Sequence, residues 1–423
     1  MRPLSLVLLF LAAIAPLFAQ NTRPKDVREV AKGGSAALPK LQEFLKDPNV
    51  DVRIEAVKQI AEIGTQRSID PLLQATNDND PEVQIRATDG LVNFYLPGYL
   101  QTGFAASIKR VGTGLKGKFT DTNDQVIDPF VQVRPGVVTA LGKLARGGGN
   151  MEARANAARG LGILRGRAAV PDLVEATHSK NTQLIYESLI AIQKIGDQSA
   201  GPLTTFLLHD LDQRVQIAAI EIQGLLRNQE AVPDLTDVLT NRARDVKVKR
   251  AALTSLAMLP SEKSRSLYGQ YLHDKDDKLR GAAAVGYARL RNPADLPVLE
   301  KAWQDEGKTS PRLSMAFAQV MLGKTELSEF SPLQYLVNNL NSASYKGEAA
   351  PLLVELARDP RVRTLLYQAL QKGTKDEKIG IAGVLARSGD QQSVAALQTL
   401  TNDPDPEVSK EALRAVRTLQ AKP

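Results

Sequence analysis

Cysteine is absent from this 423-residue chain, which excludes disulfide staples, zinc-thiolate sites, iron-sulfur clusters, thiol nucleophiles and a lipidated N-terminal cysteine in one step. Only three histidines are present. Phe, Tyr and Trp together number 20, too few for a sandwich of aromatic and β-branched strands but enough for helices packed through Leu, Ile and Ala. Charge of one sign is also lacking: 54 basic residues against 47 acidic give +7, a mixed surface whose excess does not define a nucleic-acid binder. Catalytic signatures are missing too. There is no Gly-x-Ser-x-Gly elbow, Walker loop or His-Glu-x-x-His pair. Gly160-Leu161-Gly162 is followed by Arg165 where a dinucleotide fingerprint needs a third glycine. Gly147-Gly148-Gly149-Asn150 lacks the Lys-Ser/Thr of a phosphate loop and reads as the end of one helix and the cap of the next.

What is present begins with an address. Met1-Arg2-Pro3 is a short basic start, Leu4 to Ala15 is almost wholly apolar, and Pro16-Leu17-Phe18-Ala19 ends on a small residue. That is the pattern of a secretory signal peptide over residues 1–19, cleaved after Ala19. The apolar stretch is shorter than the roughly 20 residues a membrane-spanning helix needs. The expectation is a periplasmic or secreted protein with no transmembrane span after signal removal.

A repeat then sets in. Asp47-Pro48-Asn49-Val50-Asp51-Val52-Arg53-Ile54-Glu55-Ala56 recurs as Asp78-Asn79-Asp80-Pro81-Glu82-Val83-Gln84-Ile85-Arg86-Ala87, a step of 31 residues. The anchor slot of Val52 and Val83 returns at Ala153, Leu184, Val215, Val248, Leu279, Glu377 and Val408, and more loosely at Arg312. Periods of this size belong to solenoids. Four residues after the anchor, eight of ten positions are Ala, as close helix approach requires. Eight after it stand Ile60, Leu91, Leu161, Ile192, Leu256, Tyr287, Val320, Leu385 and Val416, completing an i, i+4, i+8 stripe that Gln223 breaks. Three before it stand Asn49, Asp80, Asn150, Asn181, Asp212, Asp245, Asp276, Thr309, Thr374 and Asp405, all able to cap a helix start. The partner helix carries Pro near its first turn, as at Pro71, Pro171, Pro202, Pro233, Pro297, Pro332 and Pro351.

Asp-Pro-x-x-Val-Arg-x-x-Ala, a Gly-ended helix and Ala-Val-Pro-x-Leu together resemble HEAT repeats of the type also found in phycocyanobilin-lyase-like proteins, from about residue 36 to 419. The resemblance implies an all-α chain, an α-solenoid of about eleven helix-pair HEAT-like repeats wound as a right-handed superhelix. It implies a binding scaffold more than an activity. The basic residue after the anchor is kept at Arg53, Arg154, Lys249, Arg280 and Lys378 and lost at Gln84, Ile185, Gln216, Leu313 and Ser409, so a continuous Asp-Arg ladder is interrupted. With layers about 8 to 10 Å apart, such an array would be a curved rod on the order of 100 Å long.

The beat fails in two places. Seventy residues separate Val83 from Ala153 instead of 62, and residues 94–150 read as an irregular insertion. It holds Phe94, Tyr95, Tyr99, Phe104, Phe119 and Phe130 inside 37 residues, and its charge is +4. Long loops are uncommon unless functional or disordered. Tyr95, Tyr99, Phe104, Lys109, Arg110, Lys116, Lys118 and Phe119 are therefore the candidate partner-binding residues, with aromatic contact area and cationic attraction to acidic groups. The competing expectation is that the aromatics fold back over an irregular seam. Residues 328–375 read as one divergent repeat. These breaks divide the chain into N-terminal repeats (20–93), the insertion (94–150), central repeats (151–327), the divergent repeat (328–375) and C-terminal repeats (376–423).

His178, His209 and His273 each stand six residues before an anchor, in the same turn of their repeats. Repeats stack about 10 Å apart, and zinc holds nitrogen at about 2 Å, so these are read as turn residues and no metal is assigned. The Asp-rich turns lack an EF-hand spacing. No catalytic residue and no cofactor are assigned. The expected function is an exported non-enzymatic scaffold for a protein partner. A bilin-lyase-like chromophore chaperone, and a binder of acidic envelope polymer or nucleic acid through the basic surface, are the alternatives, peripheral membrane contact included.

Overall fold

The computed structural model describes residues 22–99, 125–242 and 245–421, and among them every regular element is helical. The expected signal peptide, residues 1–19, lies outside the described residues. No described helix is long and apolar enough to cross a membrane.

An opening helix, Pro24–Ala31, is followed by eleven helix pairs. The second helices are Val50–Ile63, Pro81–Tyr95, Met151–Ile163, Thr182–Ile195, Gln213–Leu225, Val246–Met258, Asp277–Leu290, Thr309–Met321, Lys346–Leu356, Lys375–Ser388 and Pro406–Gln420. Each packs on its own first helix and on the second helix of the pair before it, the opening helix taking that place for Val50–Ile63, so the fold has two layers. All ten residues of the small-residue column, from Ala56 to Ala412, are fully buried. At Gly162 and Gly224 the approach is close: a Cβ would lie 2.7 Å from Ala191 Cα and 2.8 Å from Ser255 Cα respectively, so only glycine fits.

Nine of the ten expected caps accept backbone N–H groups through their side chains, as Asp212 does from Arg214 and Val215 at 2.9 and 3.2 Å. Thr309 is the exception, because it is the first helical residue and Lys308 occupies the cap without a side-chain bond. Pro351 also departs from expectation. It lies inside Lys346–Leu356, since Pro332–Asn338 has already taken the first-helix place of that pair. Residues 328–375 accordingly hold Pro332–Asn338, Lys346–Leu356 and Pro360–Lys372, one whole pair and the first helix of the next rather than one repeat.

The basic slot ties neighbouring turns together. Arg53, Arg280 and Lys378 reach Asp78, Glu306 and Asp403 one repeat on, at 2.8, 2.6 and 2.9 Å. Where the charge is lost, Gln84, Gln216 and Ser409 donate to carbonyls of the preceding turn, at Asp78, Leu208 and Thr401. Those bonds close the turn of their own repeat and do not continue the ladder, although Gln84 also reaches the next repeat, its Oε1 accepting from the Gly149 N–H at 2.8 Å. Gln223 breaks the apolar stripe because its buried amide donates to Thr204 Oγ1 at 3.2 Å and accepts from Asn228 Nδ2 at 2.7 Å. The first helix of that pair is correspondingly broken into Ala200–Leu203 and the 3₁₀ turn Thr205–His209.

Candidate functional site

The second helices line the inner face of the curved array. The curvature is tight enough that Lys278 and Arg289, on Asp277–Leu290, cross Thr309–Met321 to pair with Glu348 and Glu355 on Lys346–Leu356, the first at 2.6 Å. Small side chains allow it, since Gly281 sits where a Cβ would meet Ser314 Oγ at 3.0 Å. The result is a groove of about 1280 Å³ running from Gly224 to Val362.

Leu225, Met258, Val285, Met321 and Leu352 give the groove an apolar floor, and Leu225 is 44% exposed. Six basic and three acidic side chains rim it. The acids are all engaged: Glu348 with Lys278, Glu355 with Arg289, and Asp359 with Arg361 at 2.7 Å. The Arg361 guanidinium holds the Asp359 carboxyl below its usual range, and the field of Arg291 adds to this. Arg227, Arg291 and Arg358 are exposed and make no side-chain hydrogen bond or ion pair among the described residues.

Arg227 and Arg291 also adopt left-handed backbone, φ 57° and 54°, at the end of their helices. Gly64 and Gly196 occupy the same repeat slot at φ 57° and 72°. A side chain there costs roughly 1 to 2 kcal/mol that glycine does not. Arg165 repeats the pattern at φ 50°.

Farther toward the N-terminus the inner face holds a buried polar network. Arg159 makes a bidentate pair with Glu187 at 2.7 and 3.2 Å, Gln183 donates to the same carboxylate at 2.7 Å, and Asn156 donates to Asp89 at 2.9 Å. Arg159 and Glu187 are only 9% and 8% exposed, so their mutual charge offsets the cost of burying both. Burial opposes the Arg159 charge, but Glu187 outweighs it and the guanidinium is held above its ordinary range. Tyr99 lies over this network. Burial pushes its phenol well above the ordinary range, with the Asp89 charge adding to it and Arg159 opposing.

Of the candidate partner-binding residues, Tyr95 and Tyr99 pack back against the core together with Phe94. The Tyr95 hydroxyl accepts the Arg134 N–H at 3.1 Å, and Arg134 pairs with Asp70 at 2.6 Å. Phe104, Lys109, Arg110, Lys116, Lys118 and Phe119 lie outside the described residues. The chain re-enters at Gln125, and Ile127 buries its side chain while donating its N–H to the Ile163 carbonyl at 3.0 Å. Within the stretch 94–150, Pro135–Gly147 is an ordinary first helix packed on Met151–Ile163. The inserted part therefore lies between Tyr95 and Pro135.

His178 stacks on Phe206 with centroids 4.5 Å apart, and both line a shallow hollow of about 380 Å³ with His209 and Asp210. Among the described residues no three His, Asp or Glu side chains converge to hold a metal ion.

Fold and groove define an all-α solenoid of helix pairs with a continuous inner face. A sequence profile for HEAT repeats matches residues 26–102, 138–221 and 233–318, over half of the chain, and the chain belongs to the HEAT-repeat family. No curated protein sequence matches it. Among solved structures it is similar to an engineered protein, at 20% identity and a TM-score of 0.39, over 90% of this chain and 98% of that one. It is also similar to the complex of CpcE and CpcF of phycocyanin lyase from Nostoc sp. PCC7120, at 15% identity and 0.32, over 78% and 97%. A third likeness is to importin beta, at 15% identity and 0.40, over 96% and 60%.

Proposed function

We propose that this chain is an exported, non-enzymatic scaffold that works in the periplasm or outside the cell and holds a protein partner against its inner groove. One observation carries the reading: an open groove of about 1280 Å³, shared by consecutive repeats, with an apolar floor and a charged rim. Such a surface offers extended contact area instead of a few convergent catalytic groups. The apolar floor and polar rim match the anatomy of protein interfaces. The basic-apolar opening of the chain, residues 1–19, supports export.

The test is capture from an envelope extract on the immobilised chain starting at Gln20, at moderate salt, followed by mass spectrometry. A Leu225→Asp/Leu352→Asp variant runs in parallel. One stoichiometric protein retained by the parent and lost by the variant is expected. Equal recovery by both, or recovery of polymer or lipid alone, overturns the groove as the site. The N-terminus of the protein recovered from cell fractions, read by mass spectrometry, tests export: Gln20 in the envelope or medium supports it and Met1 in the cytoplasm overturns it.

A further inference from the structure

We propose that the segment the groove receives is an extended, carboxylate-rich stretch of the partner protein; this rests on the scaffold reading above and adds the chemistry of what is held. Three acids rim the groove, and each is committed to a cation of the groove itself, at Lys278, Arg289 and Arg361. What remains is one sign of charge. Arg227, Arg291 and Arg358 are exposed, line the groove and make no side-chain hydrogen bond or ion pair among the described residues. An occupant bearing carboxylates at those places would complete three charge-assisted pairs, whereas a basic occupant would meet three like charges.

The backbone argues the same way. Where a left-handed residue ends a second helix the chain uses Gly64 and Gly196 but also Arg165, Arg227 and Arg291, and the last two, at φ 57° and 54°, stand beside the groove. Guanidinium is the side chain suited to fork-like recognition of carboxylate, and here it stands where the backbone itself is best served by glycine.

The apolar floor sets the rest of the occupant. Leu225, Val285 and Leu352 are all part-exposed within the groove, so residues alternating with the acids meet hydrophobic contact. Alternation of two kinds of side chain on two faces is what an extended backbone supplies. Five consecutive second helices, from Gln213–Leu225 to Lys346–Leu356, cross the groove. At about 10 Å between layers the path is roughly 40 Å, or about twelve residues of extended chain.

The experiment is fluorescence anisotropy on the chain from Gln20 with three labelled twelve-residue probes: alternating Glu and Leu, alternating Gln and Leu, and alternating Lys and Leu. The Glu/Leu peptide is expected to bind at least tenfold more tightly than the Gln/Leu peptide and to weaken as salt is raised. The Lys/Leu peptide is expected not to bind. Arg227→Glu/Arg291→Glu/Arg358→Glu should lose the Glu/Leu peptide by at least tenfold and gain the Lys/Leu peptide. The milder Arg227→Gln/Arg291→Gln/Arg358→Gln, checked for unchanged helical circular dichroism, serves if the reversal does not fold.

Equal binding of Glu/Leu and Gln/Leu peptides, both lost in Leu225→Asp/Leu352→Asp, would overturn acid selectivity while leaving the groove as a protein site. Absence of binding by every peptide would overturn the inference, and the envelope capture would then decide the scaffold reading separately. A polyphosphate or single-stranded oligonucleotide probe that binds better than the Glu/Leu peptide and is lost in the charge variants would also overturn it, in favour of a phosphate polymer.

Discussion

Arg414, in the last helix, places Nη2 2.5 Å from Oδ1 of Asp128, a residue 286 positions upstream. Asp128 stands beside Ile127, whose N–H is fixed on the Ile163 carbonyl of the third pair. Eight repeat steps separate the third pair from the eleventh, about 80 Å if the array ran straight. It does not: the solenoid winds back until its C-terminal helix meets the chain segment that follows the insertion. The Asp128 carboxylate keeps the Arg414 guanidinium above its ordinary range. The Arg414 side chain is 56% exposed, so the pair is worth less than about 1 kcal/mol and acts on shape more than on stability. Arg414→Glu is therefore expected to leave the melting temperature nearly unchanged and to raise the radius of gyration in X-ray scattering. Asp128→Arg in the same chain should restore it. An unchanged radius in the single variant would show that packing alone holds the ends together.

Close packing between second helices leaves no room for a side chain at Gly224. The Cβ of an alanine there would lie 2.8 Å from Ser255 Cα, and backbone cannot rotate away as a side-chain tip can. Gly224→Ala is expected to destabilise the chain by about 1 to 3 kcal/mol through overpacking. Gly147→Ala, where nothing lies within 4 Å of the new Cβ, should be neutral or stabilise by up to about 1 kcal/mol. Urea titration of the two variants gives the contrast directly.

The 31-residue beat, the caps and the alanine column were legible in the sequence because each depends on residues within one helix or one turn. Ala219 and Asp212 need only their own repeat to be understood. Pro351 misled for the opposite reason, since local chemistry fits a first turn and only the count of helices before it shows otherwise. The groove was not legible, because Lys278–Glu348 and Arg289–Glu355 join residues 70 and 66 positions apart and depend on the accumulated curvature of three layers. The signal nearest to hand was Arg227 and Arg291 standing in the slot of Gly64 and Gly196. It acquires meaning once their φ angles are known. From sequence the aromatic cluster of the insertion admitted both a partner-binding loop and a fold back over the seam. Tyr95 and Tyr99 are packed inward, the Tyr95 hydroxyl on the Arg134 N–H and Tyr99 over Arg159.

The arginine slot separates stability from binding. Arg227→Gly and Arg291→Gly relieve left-handed strain, so each is expected to stabilise the fold by about 1 kcal/mol. Each should also weaken retention of the Glu/Leu peptide. Arg165→Gly relieves the same strain outside the groove and should stabilise without touching binding. Thermal melts beside anisotropy titrations check the three variants. A loss of stability in all three would mean that the arginine stems pack usefully where they stand.

Acid and neutral pH act on different carboxylates. Asp197 is drawn down to about 2 by hydrogen bonds from Arg167 and Ser199, and Asp276 and Asp403 also lie below their usual range, through Arg250 and through the Asp405 N–H with Lys378 respectively. A depressed folded-state value gives stability that is complete above the unfolded value near 4 and is lost as pH falls through the folded one. The midpoint of melting should therefore drop between pH 4 and pH 2. Glu221 has the opposite sign. Burial in Gln213–Leu225 raises its carboxyl, and the side chain makes no hydrogen bond or ion pair among the described residues. Its ionised form is penalised in the folded state, so the fold is favoured below the unfolded value and loses stability as pH rises through the raised one. Glu221→Gln is expected to raise the melting midpoint at pH 7 by about one or two degrees and to leave it unchanged at pH 3.5. A gain of the same size at both pH values would mean that the glutamine improves packing and that the charge of Glu221 is not what costs stability.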